Sequence, residues 1–484
     1  MSTSFQPTIL LTGPTGYVGG RLLKRLEALP VRVRCLARNP EYLEGVTGKQ
    51  TEVVRGDVLD RSSLAVCLDG VDTAYYLVHS MASAEWFEQK DREAAENFAA
   101  EAKAAGVKRI VYLGGLADDE ADLSPHMRSR HEVGQLLRTS GCAVTEFRAS
   151  IIIGSGSLSF ELIRSLVIRL PVMVTPQWVS VEAQPIAIDD VLDYLVAALT
   201  LPEDETRIYE IGGPQRVSYA GIMREYARQT GRRRLFIPVP VLSTKLSSLW
   251  LGLVTPVYAR VGRKLIEGLR HPSVVRDDAA SSAFEIQPRD LESAIDDATL
   301  SERELDAPRW GDSTAASVVE QEWSEDSFLK TIQDDRSRGS HASPEAAFAP
   351  IRRIGGPSGW YFATWLWRVR GWLDLLVGGV GMRRGRRNPD QLRVGDVVDC
   401  WRVAEYEPNR RLKLVAEMRV PGKAWLEFSV APTEGGSTIR QTATYRPVGT
   451  FGVVYWYAIW PVHVVLFSGM LREIVRRGES PTAA

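Results

Sequence analysis

The sequence predicts an α/β protein: a doubly wound parallel sheet in the N-terminal part, followed by a smaller α+β domain built on an antiparallel sheet. Three observations carry this. Short apolar runs rich in β-branched residues ("TILLTG", "VRVRCLA", "TEVVRGD", "DTAYYLV", "KRIVYLGGL", "VTEFRASIII") alternate with amphipathic stretches, the pattern of buried parallel strands covered by helices. The first run leads into "LLTGPTGYVGGRLLKRL", a strand, a glycine turn and a helix start. Beyond Pro350 the composition changes, with eight of the thirteen tryptophans in the last 134 residues.

In chain order, the first strand ends at Thr12 and a helix starts near Tyr17, with Val18, Leu22, Leu26 and Leu29 on one face. The sheet extends over about residues 5–155. "QPIAIDDVLDYLVAAL" and "RIYEIGGPQRVSYAGIMREYARQTG" each read as a strand leading to a helix, and they complete a substrate-side lobe. The expected organisation is a nucleotide-binding domain over 1–300, a linker over 301–350 with "DDRSRGSHASPEAAFAP" as its clearest part, and a C-terminal domain over 351–484. In that last domain "RLKLVAEMRV", "KAWLEFSVA" and "TIRQTATYRP" alternate with period two, a meander turned by "EGGS". A closing helix is expected from Pro461, at a first helical position, to Arg477.

A net charge of −1, with 25% charged and 44% apolar residues, fits an ordinary soluble protein and argues against a nucleic-acid partner. Cys35, Cys67, Cys142 and Cys400 form no C-x-x-C pair, and the six histidines show no metal spacing, so no metal is expected. The N-terminus lacks the layout of a secretion signal, which makes the cytoplasm the expected location. Pro447 to Leu471 is 25 residues without Asp, Glu, Lys or Arg. That is long enough to span a bilayer, although Pro447, Gly449, Gly452, Pro461, His463 and Gly469 stand against it.

Gly13, Gly16 and Gly19 lie where backbone must approach a pyrophosphate closely, with helix N–H groups and the positive dipole end to hold the anion. Their spacing is G-x-x-G-x-x-G, and a ligand-free glycine turn is the alternative. At the end of the second strand, where a carboxylate would select NAD(H), stand Ala37 and Arg38. A guanidinium can bind a 2′-phosphate, so NADP(H) is favoured over NAD(H), unless Arg38 is simply a solvated arginine. Asp57 and Val58 end the next strand on the adenine side, where Asp57 could equally cap the following helix.

Taken in order, "LLTGPTGYVGGRLL", "ARNP", "GDVLD", "AGVKRIVYLGGL" and "QPIAIDDV" resemble the atypical short-chain dehydrogenases/reductases in their NmrA-like and extended branches, over about residues 6–300. The resemblance implies an NAD(P)-binding Rossmann fold in which Gly13, Thr15, Gly16, Tyr17, Val18 and Gly19 surround the pyrophosphate. It implies further that Arg38 takes the 2′-phosphate, Asp57 and Val58 the adenine, and Leu77 and Val78 the ribose.

The chain departs from that family's catalytic Tyr-x-x-x-Lys pair and serine. Within "SPHMRSRHEVGQLLR", His126 stands for the tyrosine and Arg130 for the lysine, and Gly114 and Gly115 occupy the serine strand. Arg130 could hold the nicotinamide ribose but cannot shuttle a proton. His126 and His79 are rival acid–base candidates because histidine titrates near working pH. Their alternatives are a helix-start residue and a hydrogen-bonded strand-end residue.

From about 352 to 478 the chain resembles a domain of unknown function that follows atypical Rossmann domains, with START-like helix-grip character. The resemblance implies an apolar site in which Trp425, Phe428, Tyr455, Trp456 and Phe467 line a hydrophobic ligand, or else fill a core. Arg383, Arg384, Arg386 and Arg387, with Trp360, Trp365 and Trp372 nearby, give a minority reading of peripheral membrane contact. The leading expectation is an oxidoreductase transferring hydride to a hydrophobic small molecule. The alternative is a catalytically inactive nucleotide-binding sensor or assembly factor.

Overall fold

The computed structural model describes residues 6–79, 87–117, 123–202, 204–239, 271–300, 328–377, 379–382 and 384–480. It divides into two units, Met1–Ser317 and Val318–Ala484.

In the first unit, seven strands form one parallel sheet: β1 (Thr8–Thr12), β2 (Arg32–Ala37), β3 (Glu52–Arg55), β4 (Thr73–Tyr76), β5 (Arg109–Gly115), β6 (Ala143–Ala149) and β7 (Arg207–Ile211). Their order across the sheet is β7-β6-β5-β4-β1-β2-β3, every pair parallel. This is the expected doubly wound sheet. Because the order reverses between β1 and β4, the crevice at their carboxyl ends is where such a fold binds ligands.

Strands β1 and β6 are buried along their whole length, and helices cover both faces. Among them are α1 (Tyr17–Glu27), α2 (Arg61–Leu68), α3 (Phe87–Ala104), α4 (Pro125–Arg138) and α5 (Ile188–Ala197). One apolar cluster joins Leu22, Leu23 and Leu26 of α1 to Val191 and Leu195 of α5. On the other face Ala94, Ala95 and Phe98 of α3 pack with Val133 and Leu137 of α4. The α2 start is capped by Asp60, whose carboxylate accepts the Ser62 N–H at 3.0 Å.

The second unit is an antiparallel sheet of six strands: β8 (Ile332–Ser340), β9 (Val397–Val398), β10 (Trp401–Glu407), β11 (Arg411–Ala416), β12 (Gly422–Thr433) and β13 (Gly436–Pro447). The order is β8-β13-β12-β11-β10-β9. Alternation sets the buried face, as with Ser437, Ile439, Gln441, Ala443 and Tyr445 on β13. Helices α6 (Pro344–Arg352), α7 (Thr364–Leu376) and α8 (Gly449–Gly478) accompany the sheet.

Three sequence expectations are corrected here. The stretch read as the clearest part of a 301–350 linker holds β8 and the start of α6, while residues 301–327 lie outside the described ones. Its charges concealed the strand: inward-facing Asp334 and Arg336 pair at 2.7 Å and neutralise each other. The closing helix starts at Gly449 and runs through Pro461. Packing on both sides of the proline holds it, with Trp456 stacked on Tyr445 at 5.2 Å and Phe467 against Trp367 at 6.0 Å.

The arginine run is no open basic patch either. Arg387 binds Asp396 through two bonds of 2.8 and 2.9 Å, and Arg386 donates to the carbonyls of Ile354, Asn388 and Gln391. Both are buried, and burial holds the Arg386 guanidinium down to about 10. Arg384 and Arg402 bracket the buried Glu417 at 2.5 and 2.7 Å. Burial opposes ionisation of Glu417, and the two guanidinia overcome it, keeping its carboxyl below the usual range. Arg383 lies outside the described residues.

On α8, His463 stacks on Phe467 with ring centroids 3.9 Å apart, and its Nδ1 lies 3.3 Å from Asp334 Oδ2. Burial is the dominant influence on this ring and lowers its pKa from 6.5 to about 4, against the pull of Asp334. Between those values the unfolded chain binds the proton and the folded chain does not, so stability falls as pH drops from 6.5 to about 4. Denaturant melts across this window should show a less steep loss of stability for His463→Gln than for the natural chain.

Candidate functional site

The crevice is built from backbone proximity. The Thr12 hydroxyl donates to the Tyr75 carbonyl at 2.9 Å and accepts the Leu77 N–H at 2.9 Å, tying the ends of β1 and β4 together. Gly13 follows with φ +67°, and a Cβ there would lie 2.8 Å from the Leu77 carbonyl oxygen. The Gly16 N–H donates back to the Gly13 carbonyl at 2.9 Å. A Cβ on Gly19 would overlap that same Gly13 oxygen. The glycines therefore let α1 begin directly against the end of β1.

That helix start suits a phosphate. Gly16 is its N-cap, no side chain caps the first turn, and the first turn holds no acidic residue. Thr15 and Val18 flank the turn, half-buried. Tyr17 is the first residue of α1. Its ring belongs to the apolar core and its hydroxyl lies against Gly154, where burial raises its pKa, so only its backbone sits at the helix start.

At the end of β2, Arg38 is exposed, and its carbonyl accepts from Arg55, which also pairs with Glu41 at 3.2 Å. Asp57 accepts the Leu59 N–H at 3.0 Å and so closes a turn before α2, whose cap is Asp60. Val58 is buried beside it, and Leu77 and Val78 are half-buried after β4.

The two histidines that sequence reasoning set up as rivals are neighbours. His79, just after β4, brings Nε2 within 3.3 Å of His126 Nδ1 at the start of α4. The other nitrogen of His79, Nδ1, lies 3.0 Å from Asp91 Oδ2 on α3, and this carboxylate also accepts the Ser129 hydroxyl at 3.2 Å. The result is an unbroken chain, Asp91–His79–His126, with Asp91 and His126 buried. A third histidine, His131, is buried on α4 with Nε2 3.2 Å from the Gly115 carbonyl oxygen.

Arg130 donates to the Leu113 carbonyl at 2.7 Å, and its own carbonyl accepts the Tyr112 hydroxyl at 3.0 Å. Burial pushes the Tyr112 hydroxyl up to about 12, so it is no ready proton donor at neutral pH. Sequence reasoning missed Thr12, Asp91, Ser129 and His131. Among the described residues, no group of three or more His, Cys, Asp or Glu is arranged to hold a metal.

A family model described as NAD(P)H-binding matches residues 13–153, and one described as a protein of unknown function, DUF2867, matches residues 331–470. The (4-alkanoyl-5-oxo-2,5-dihydrofuran-3-yl)methyl phosphate reductase of Streptomyces griseus is 34% identical over 233 residues, 46% of this chain and 74% of that protein. The chain belongs to the NmrA-like atypical short-chain dehydrogenases/reductases. The photosystem II assembly factor Ycf39 of Cyanophora paradoxa is 23% identical over 250 residues, 50% of this chain and 74% of that one. The triphenylmethane reductase of Citrobacter sp., solved with NADP(H), shares the fold with a TM-score of 0.50 and 18% identity, over 60% of this chain and 99% of that structure.

The glycine cradle fits a dinucleotide, because only residues without a Cβ at Gly13 and Gly19 let the uncapped helix start close onto the end of β1, where its N–H groups can hold a pyrophosphate. Gly19→Ala forces a methyl group onto the Gly13 backbone, which cannot swing aside. Fluorescence titration should show loss of NADPH and NADH binding together in this variant.

Proposed function

We propose that the protein is an NADP(H)-dependent reductase of a hydrophobic small molecule, in which the Asp91–His79–His126 chain does the proton work of the missing tyrosine. The observation carrying this reading is the pair of short separations, 3.0 Å from Asp91 to His79 and 3.3 Å from His79 to His126. Gly13, Gly16 and Gly19 would hold the pyrophosphate. Arg38 would take the 2′-phosphate, and a carboxylate at that strand end, which would repel it, is missing.

When bound, NADPH supplies the hydride, and reduction of a carbonyl or a conjugated double bond then requires one proton. In the charged form His79 carries protons on both ring nitrogens, stabilised by Asp91, and His126 carries one on Nε2. Release of the His126 Nε2 proton to substrate is matched by transfer of the His79 Nε2 proton to His126 Nδ1. The pair ends neutral, one proton has left, and Asp91 keeps its hydrogen bond throughout. Arg130 spends one donor on Leu113 and has others for a ribose hydroxyl, since a guanidinium carries five N–H groups.

The substrate class follows from the same chemistry. A conjugated acceptor develops its negative charge on an oxygen that histidine can protonate, and the 5-oxo-2,5-dihydrofuran named for the Streptomyces reductase is such a conjugated ring. The C-terminal antiparallel sheet with its long helix α8 supports a START-like helix-grip reading, a fold suited to apolar ligands. In it Phe428, Trp456 and Phe467 are buried, while Trp425 and Tyr455 are half-buried.

A second reading, a nucleotide-binding sensor or assembly factor, draws on the absent tyrosine, lysine and serine and on the Ycf39 relative. It predicts nucleotide binding without turnover. Arg38→Ala should weaken NADPH about 10- to 100-fold, the loss of a charge-assisted contact, and leave NADH unchanged. NADPH-oxidation assays with hydrophobic enones and ketones should show kcat reduced about 10²- to 10⁴-fold in His126→Gln and in His79→Gln. Cofactor affinity should be intact in both. Equal turnover in these variants and the natural chain would remove the relay from the mechanism, and no turnover with any acceptor would favour the sensor.

A further inference from the structure

We propose that the outer faces of α7 and α8 form a docking surface that seats the protein in the interfacial layer of an anionic lipid bilayer. The two helices are neighbours within the second unit: Arg370 of α7 reaches the Tyr455 hydroxyl of α8 at 3.4 Å, and Trp367 packs on Phe467. Each turns a large apolar stripe outward at helical spacing. On α7 it includes Trp365, Val369 and Trp372, and on α8 Phe451, Val454 and Val462, with Phe451 as much as 73% exposed. A continuous outward stripe of this kind marks a surface that meets something apolar.

The charges around the stripe identify the occupant. Over residues 364–377, 418–426 and 444–471 the only acid is Asp374. It is buried, and its carboxylate accepts the backbone N–H of Gly381 at 2.8 Å and of Arg419 at 2.7 Å. The cations in the same stretches are Arg368, Arg370, Arg419, Lys423 and Arg446. Arg368 and Lys423 are exposed, and Arg446 and Lys423 sit beside Phe328, which bridges to Val448 at the α8 start. An acid-free apolar face with exposed tryptophans and flanking cations is complementary to anionic headgroups over acyl chains.

By length and composition α8 could also cross a membrane. Its inner face excludes that arrangement while the unit stays folded. Trp456 stacks on Tyr445, Gly452 abuts the Pro421 carbonyl and His463 meets Asp334, so the helix lies along its own sheet. A crossing would carry polar sheet edges into hydrocarbon, where their backbone groups have no partners. The helix therefore lies in the membrane plane, with its outer stripe immersed.

The test is flotation of the full chain with vesicles of phosphatidylcholine alone and of phosphatidylcholine mixed with phosphatidylglycerol. Binding is expected to the mixed vesicles, to weaken with salt, and to fall about tenfold or more in Trp365→Ser/Trp372→Ser and in Phe451→Ser/Val454→Ser. All four positions are exposed, so circular dichroism melts and NADPH titration should match the natural chain, which separates this result from failure of the cofactor site. The proposal is overturned if the natural chain ignores both vesicle types, or if both double variants bind as it does. A solution dimer that these variants dissociate, without vesicle binding, would assign the face to a second copy instead.

Discussion

The hydroxyl of Thr12 bonds at once to the Tyr75 carbonyl and to the Leu77 N–H, and this fixes the separation between the ends of β1 and β4. Everything at the crevice is measured from that point. Gly13 turns immediately beyond it, so its carbonyl faces Gly16 and Gly19 at the α1 start, and the segment after β4 delivers His79 three residues past Tyr76. A threonine does this because a single hydroxyl can donate and accept together. The cost of burying it is offset by the two backbone groups it satisfies.

The same sheet reversal brings together the groups of the proposed relay. His79 hangs from the end of β4, His126 from the start of α4, and Asp91 from the first half of α3. These elements converge because α3 and α4 pack side by side through Ala94, Phe98, Val133 and Leu137. A buried carboxylate beside one imidazole sets which nitrogen of His79 carries its proton, and the second imidazole inherits the complementary assignment. The geometry of the proposed relay thus depends on packing between two helices more than on any one side chain.

What was legible in the sequence was local. The glycine spacing, the alternating strands of the first sheet and the meander of β11 to β13 are short-range patterns that dictate their own geometry. Asp91 was not legible, because α3 also carries Glu88, Glu93, Glu96 and Glu101, and only tertiary packing singles one acid out. The pairing of His79 with His126, 47 residues apart, was invisible for the same reason. Strand β8 was hidden by a charge content typical of loops, which an edge strand tolerates when inward-facing Asp334 and Arg336 neutralise each other. The first half of α8 is rich in valine and aromatics, a strand-like composition that packing against the sheet overrides.

Pro461 within α8 adds a consequence of its own. Proline has no N–H, so the Tyr457 carbonyl one turn earlier loses its helical donor. Tyr457 is 64% exposed, and its side chain ends in a hydroxyl that prefers the wet side of an interface. If α8 rests on lipid as proposed, water must stay within reach of that carbonyl, so Pro461 would act as a depth stop that limits how far the outer stripe can sink.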